Sequence, residues 1–215
     1  MNIIQGSIFN LLKRTSLNLV NQRLQKNSNW KVLDIGCGYT ASKHASVIAD
    51  VQDLSNFYKG RKFVKINEEK LPFNDNEFDF IIASHVIEHV ENFEFFIKEL
   101  ERISKKGYIE LPTRLADNLI FENKNDHIWW FLYDDNFNQL IASKRNQLLD
   151  PFMTVSTGKL FEKIFRESFV LEVEWEDKIN YVIDSKIKNE NFKKVSFLHI
   201  IKKYFSKKIR TLLRK

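Results

Sequence analysis

The 215-residue sequence holds one cysteine, three prolines and six glycines. A single cysteine, Cys37, leaves no disulfide framework and no cysteine-built zinc module, and it predicts a reducing compartment, the cytoplasm. So little proline and glycine excludes collagen-like and linker-dominated chains. No apolar run reaches the roughly 18 residues of a membrane span, so no such helix is expected. The first residues do not read as a secretory leader, because Gln5, Ser7 and Asn10 interrupt the apolar positions ahead of Lys13 and Arg14. What is present is an ordinary globular balance of 43% hydrophobic and 29% charged residues, enough to bury a core and too apolar for disorder.

The net charge of +6 is unevenly spread. Residues 184–215 carry 11 Lys and Arg against 2 Asp and Glu, a net +9. The other 183 residues carry 23 basic and 26 acidic groups, a net −3. Any attraction to a polyanion therefore belongs to the tail alone.

The spacing of apolar residues predicts a leading helix over 5–26, followed by short strands that alternate with helices. The strands are Trp30–Ile35, Ser46–Val51, Phe63–Ile66, Phe78–Ala83 and Gly107–Leu111, with a helix over Phe93–Ile103. That rhythm implies an α/β, Rossmann-like, mostly parallel sheet flanked by helices. Residues 113–155 break the rhythm with an aromatic, acidic insertion of the kind that forms lids and binding loops. A helix over 157–167 follows. Two strand-like runs, Phe169–Trp175 and Ile179–Ile183, are close enough in sequence to suggest an antiparallel C-terminal pair. The expected organisation is one domain over 1–183 and a basic amphipathic tail over 184–215.

The sharpest motif is Val32-Leu33-Asp34-Ile35-Gly36-Cys37-Gly38. A strand ending in Gly-x-Gly lets a ligand approach the backbone, and the carboxyl end of the first strand of a parallel sheet is where such ligands bind. Two kinds of ligand compete for it. Gly36-x-Gly38-x-x-Ala41 fits the dinucleotide fingerprint, but little chain separates Gly38 from Asp50, leaving scant room for a phosphate-binding helix. Asp34 suits a cationic ligand better than a pyrophosphate.

Taken with Glu69-Lys70-Leu71-Pro72-Phe73, Asn76-Glu77-Phe78-Asp79 and Ser84-His85-Val86-Ile87-Glu88-His89-Val90, this motif resembles the class I S-adenosylmethionine-dependent methyltransferases, in their small-molecule, type 11-like branch. The resemblance covers residues 30–112, with the four motifs in order. It implies S-adenosyl-L-methionine as cofactor and a small-molecule methyl acceptor. Gly36 and Gly38 would pack on the methionine and ribose, and Asp34 would sit near the amino group. Asp50, with Asp53 as second choice, would bind the ribose hydroxyls. Asn67 stands where the family often has an acid for the adenine amino group, and the backbone N–H of Glu68 would bind the ring. Ser84 and His85 would line the methyl-donor side. Thr40 replaces the usual third glycine, and the helix after the first strand is short or absent.

His85-x-x-Glu88-His89 also spells an inverted zinc-protease signature. It follows a buried strand directly and coincides with the methyltransferase-like segment, so no metal is expected there. Cys37 reads as a small turn filler. A hydroxyl or amine acceptor needs a base, for which His127 in the insertion and His85 are the candidates. Glu110 would bind the acceptor, and Trp129 and Trp130 would wall its pocket. In the tail, Val195, Leu198, Ile201, Phe205, Ile209 and Leu212 form an apolar stripe between lysines and arginines. It either packs on the domain or makes peripheral contact with an anionic membrane; contact with nucleic acid is the less favoured use. Three functions follow: methyl transfer to a small molecule, such as a saccharide or a lipid-linked intermediate; methylation of RNA with the tail as an electrostatic arm; and a non-catalytic S-adenosyl-binding module.

Overall fold

The computed structural model describes residues 12–67, 70–184 and 193–213. Seven strands form one sheet. In chain order the first elements are β1 (Lys13–Arg14), α1 (Leu17–Lys26), β2 (Val32–Ile35), β3 (Val47–Asp50), β4 (Lys62–Lys65), β5 (Phe80–Ser84), α2 (Phe93–Ile103) and β6 (Lys106–Pro112). The insertion supplies α3 (Arg114–Leu119), α4 (Asn123–Asp126), β7 (Trp129–Asp134) and β8 (Gln139–Lys144). The remainder is α5 (Val155–Ile164), α6 (Arg166–Phe169), β9 (Val170–Glu176), β10 (Tyr181–Ile183) and α7 (Phe197–Leu212).

The main sheet has the order β1-β9-β6-β5-β2-β3-β4. Strands β2 to β6 are parallel, and β9 and β1 close one edge antiparallel. The central strands β2, β3 and β5 are buried nearly throughout, which is why they read as apolar runs. Alternation along them gives the sheet two different faces. Leu33, Ile35, Ile81, Ala83, Ile109 and Leu111 point to the face covered by α2 and the β7–β8 hairpin. Val32, Phe80, Ile82 and Tyr108 point to the other, where Val20 and Leu24 of α1 pack.

The expected mostly parallel, Rossmann-like sheet is observed, but its antiparallel members are not the expected ones. Strands β9 and β10 do not pair. Strand β9 runs alongside β6, from Lys106↔Glu176 to Pro112↔Val170. Strand β10 leaves the sheet and lies parallel to β8 in a second, three-stranded sheet. The long strand β6 offers seven paired residues, far more than a local hairpin would. The leading helix is also shorter than expected. It begins at Leu17 behind the N-cap Ser16, whose side chain accepts from the Leu19 N–H, and Lys13–Arg14 is a strand on β9. The start of the expected helix lies outside the described residues. The helix expected over 157–167 breaks at Phe165 into α5 and α6. The insertion is regular structure, two short helices and a hairpin, where an irregular excursion was expected.

No helix connects β2 to β3 or β3 to β4. The loops do the covering instead. Cys37, Ala45, Leu54 and Tyr58 pack over Ile48. The upper part of this face, above Asp34, is left open.

Candidate functional site

The carboxyl ends of β2, β5 and β6 open onto a cleft of about 870 Å3 on the α1 side of the sheet. Its strand-side wall carries Asp34, Gly36, Gly38, Ser84, His85 and Glu110. The facing wall comes from α1, α4 and α5, with Asn21, His127 and Lys159 among its residues.

The glycine turn is built from left-handed backbone and three tethers. Gly36 and Gly38 both have left-handed φ, +66° and +50°. The Gly36 N–H donates to the Ala49 carbonyl at 2.8 Å and the Gly38 N–H to Asp50 Oδ2 at 2.9 Å. The Tyr58 hydroxyl donates to the Gly38 carbonyl at 2.8 Å. The two glycines have different reasons to lack a side chain. A Cβ on Gly36 would lie 2.3 Å from Val86, so that glycine serves packing inside the protein. A Cβ on Gly38 would meet nothing within 4 Å, so that one keeps the cleft clear. Asp34 is buried, and Oδ2 accepts the Ser42 N–H at 2.6 Å. Burial pushes its carboxyl up to about 6, against the opposing effect of that bond. Burial also pushes the Cys37 thiol up to about 12, with Asp34 and Asp50 adding to it, so Cys37 stays a protonated filler.

A carboxylate–histidine network occupies the floor. Glu110 takes hydrogen bonds from Ser84 Oγ at 2.9 Å, from the Tyr108 hydroxyl and from Arg166, and His85 Nε2 stands 3.3 Å away. Burial alone would raise its carboxyl; His85, Tyr108 and Arg166 outweigh that and hold it at about 2. Glu110 faces the cleft as expected, but its oxygens are committed to protein donors, which leaves little for an acceptor. His85 itself has φ +54°, an uncommon conformation for a residue with a side chain, held by its N–H on the Glu110 carbonyl at 2.9 Å. Its Nδ1 lies 3.2 Å from Glu88 Oε1. Burial works against its charge, but Glu110 and Glu88 win and raise it to about 10. That direction favours the charged imidazole, and both ring nitrogens already face carboxylates, Glu88 and Glu110.

The second expected histidine is placed otherwise. The buried carboxylate of Asp117 in α3 binds His127 Nδ1 through Oδ1, and Trp130 Nε1 and Arg145 Nε through Oδ2, the last at 2.6 Å. With Nδ1 committed to Asp117, His127 keeps Nε2 as its other ring nitrogen. His89 stacks edge-on against it at 4.5 Å.

Trp129 and Trp130 do not wall the cleft. Trp129 is in the main core against Phe93, donating to the Val90 carbonyl at 3.0 Å. Trp130 is buried against Arg114 and Asp117. Sequence alternation along β7 sends one ring into each of its sides, and both sides are covered. Asp50 is buried under the glycine turn, its oxygens accepting the Gly38 and Gln52 N–H groups. Asp53 is exposed and bound to Ser55, and Asn67 is exposed beyond β4. None of these three lines the cleft. Glu68 lies outside the described residues. Residues not anticipated from sequence include Arg166, which bridges Glu110 and Glu172 (Nη2 to Glu172 Oε1, 3.0 Å), and Asp117. A charged residue in the middle of the apolar β6 was the available signal that a buried cation partner had to exist.

Residues 33–109 match the family of methyltransferase domains. Two uncharacterized proteins of Methanocaldococcus jannaschii are similar to this chain. One is 31% identical over 114 residues, 49% of this chain and 50% of the relative. The other is 35% identical over 77 residues, 36% and 34% of the two chains. The chain thus spans half or less of the length of these relatives. Among solved structures, an S-adenosylmethionine-dependent methyltransferase from Mesorhizobium loti covers 74% of this chain and 96% of its own, at 12% identity and a TM-score of 0.44. Over the segment 33–109, about a third of the chain, the protein is therefore similar to a methyltransferase domain.

Proposed function

We propose that the protein transfers the methyl group of S-adenosylmethionine to a small-molecule acceptor bound in the cleft. One observation carries this reading: the glycine turn, Asp34 and Ser84 share a single cleft with the Asp117-backed His127. Asp34 offers a buried carboxylate to the donor's ammonium group, and Gly38 leaves room for its ribose and methionine. Asp50 braces the turn by holding the Gly38 N–H, and Ser84 flanks the reacting centre. The acceptor heteroatom's lone pair forms the new bond to the methyl carbon as the carbon–sulfur bond breaks. That electron pair returns to sulfur and neutralises the sulfonium, so the enzyme's task is alignment and exclusion of water. The acceptor's proton passes to His127 Nε2, while His85 remains protonated between Glu88 and Glu110.

Calorimetry with S-adenosylmethionine and S-adenosylhomocysteine tests the donor half, with micromolar binding expected. Transfer of a labelled methyl group is then followed in parallel into a small-molecule extract and into RNA. Label in the small-molecule fraction supports the reading. Label in RNA alone, or donor binding with no transfer to either, replaces it with the RNA enzyme or the non-catalytic module.

Helix α7 favours a second, compatible role. It has no buried residue, and Leu198, Phe205, Ile209 and Leu212 are exposed between lysines. It is held near its start, by Phe197 stacking on Phe152 and by Lys194 on Asp150 at 2.5 Å. We propose peripheral contact of α7 with an anionic membrane, each Lys or Arg near the surface adding about 1 kcal/mol. The full chain should sediment with anionic vesicles at low salt and less with neutral ones. Retained sedimentation after removal of 193–215 overturns the idea.

A further inference from the structure

The loop after β5 brings three metal-ligating side chains to one point. The Ile128 and Trp129 N–H groups both donate to the Glu88 carbonyl, at 2.8 and 3.2 Å, and so pin residues 88–89 against the start of β7. Glu88, His89 and His127 each present a ligand atom, all within 4.8 Å of one another. This is not the His85-x-x-Glu88-His89 pairing that the sequence spells. His85 turns to Glu110, and His127, from another element, takes its place.

The surroundings prepare all three groups as ligands. His127 Nδ1 is taken by Asp117, and His89 Nδ1 lies 3.0 Å from the Asp126 carbonyl. Each ring thus has its Nδ1 proton engaged by an oxygen and its Nε2 lone pair available, the carboxylate–histidine arrangement that orients imidazole toward a cation. Glu88 Oε1 is engaged by His85, whereas Glu88 Oε2 is fully buried and has no hydrogen-bond partner among the described residues. An ionised oxygen buried without a partner is costly, and a cation would supply the missing one. His89 and His127 both line the cleft, so coordination positions remain open toward the acceptor.

We propose that Glu88, His89 and His127 bind a divalent transition-metal ion on the acceptor side of the cleft, where it would take an acceptor hydroxyl or carboxylate oxygen. Two neutral imidazoles and one carboxylate suit zinc, cobalt, manganese or iron better than magnesium or calcium. Metal–nitrogen bonds of about 2.0–2.1 Å place neighbouring ligand atoms roughly 3–3.5 Å apart, so the set closes around the ion by a small rotation of the exposed His89. Binding of the ion stands by itself; only its role toward the acceptor rests on the methyltransferase reading. With the ion bound, His127 is a ligand and takes no proton. The acceptor oxygen, made more acidic by coordination, gives up its proton to solvent as it binds, so the transfer step itself needs no base.

The probe is Co2+ added to the metal-free full chain, read by calorimetry and by its visible ligand-field bands. One equivalent is expected. His89→Ala is the first variant, because that side chain is exposed and its loss should not unfold the protein. Glu88→Gln, of the same shape, is the second. Each should weaken Co2+ by 100-fold or more while S-adenosylhomocysteine binding stays within about threefold of wild type. Co2+ bound by wild type no more tightly than by His89→Ala overturns the site. If Co2+ binds but the donor does not, the metal site stands and the methyltransferase reading falls.

Discussion

The two walls of the cleft are made of different material. The strand-side wall, which we propose takes the methyl donor, centres on a backbone turn: two glycines in left-handed conformation, tethered by Asp50, Ala49 and Tyr58, with the buried carboxylate of Asp34 beside them. The wall proposed for the acceptor is side chain: His89 and His127, each with Nδ1 held by an oxygen from another part of the chain. Backbone shaped by a strand end suits what is constant in a reaction, which on the proposed function is the donor. Side chains on an insertion can be exchanged without disturbing the sheet, and they suit the partner that varies.

The largest expected effect breaks the donor wall at one glycine and not at its neighbour. Gly38→Ala places a methyl group in the open cleft at φ +50°, with no protein atom to clash with. Donor affinity should fall by tenfold or more, with a stability loss of only about 1–2 kcal/mol from the strained conformation. Gly36→Ala drives a methyl group into Val86 and should instead show mainly as lost thermal stability. Calorimetry and thermal unfolding of both variants separate the cases. If Gly38→Ala binds the donor as wild type does, the turn is not the donor site.

The same contrast governs what could be read from the sequence. Strands β2, β3 and β5 were legible because burial on both faces leaves unbroken apolar runs, and the glycine turn was legible because it is contiguous. Strand β1 was not, since two residues cannot announce a pairing with Glu174 and Val173. The strand-like runs at 169–175 and 179–183 imitate a hairpin. Asp177 with φ +65° carries the chain from the end of one, and the second belongs to β8. On the acceptor side, Glu88–His89 and His127 lie far apart in sequence, and what joins them is a pair of main-chain bonds to the Glu88 carbonyl. Nor does composition tell an aromatic wall from an aromatic core, which is why Trp129 and Trp130 were expected in the cleft.

A smaller effect sharpens the comparison through pH. Asp34 has its carboxyl raised by burial from 3.8 to about 6. In the free protein the group holds its proton in the folded state more tightly than in the unfolded state. Its contribution to stability is therefore greatest below about 4 and is lost as pH rises through about 6. Donor binding has the opposite sign, because an ammonium group needs the ionised carboxylate. Affinity for S-adenosylhomocysteine should be steady above pH 7 and fall by up to about tenfold per unit below pH 6. Asp34→Asn should bind weakly and without that dependence, since its amide does not titrate. The control lies in the other wall: His89→Ala should keep the full pH profile, because His89 belongs to the acceptor side. A profile that flattens in His89→Ala and persists in Asp34→Asn would assign the titration, and with it the donor's ammonium group, to the histidine wall.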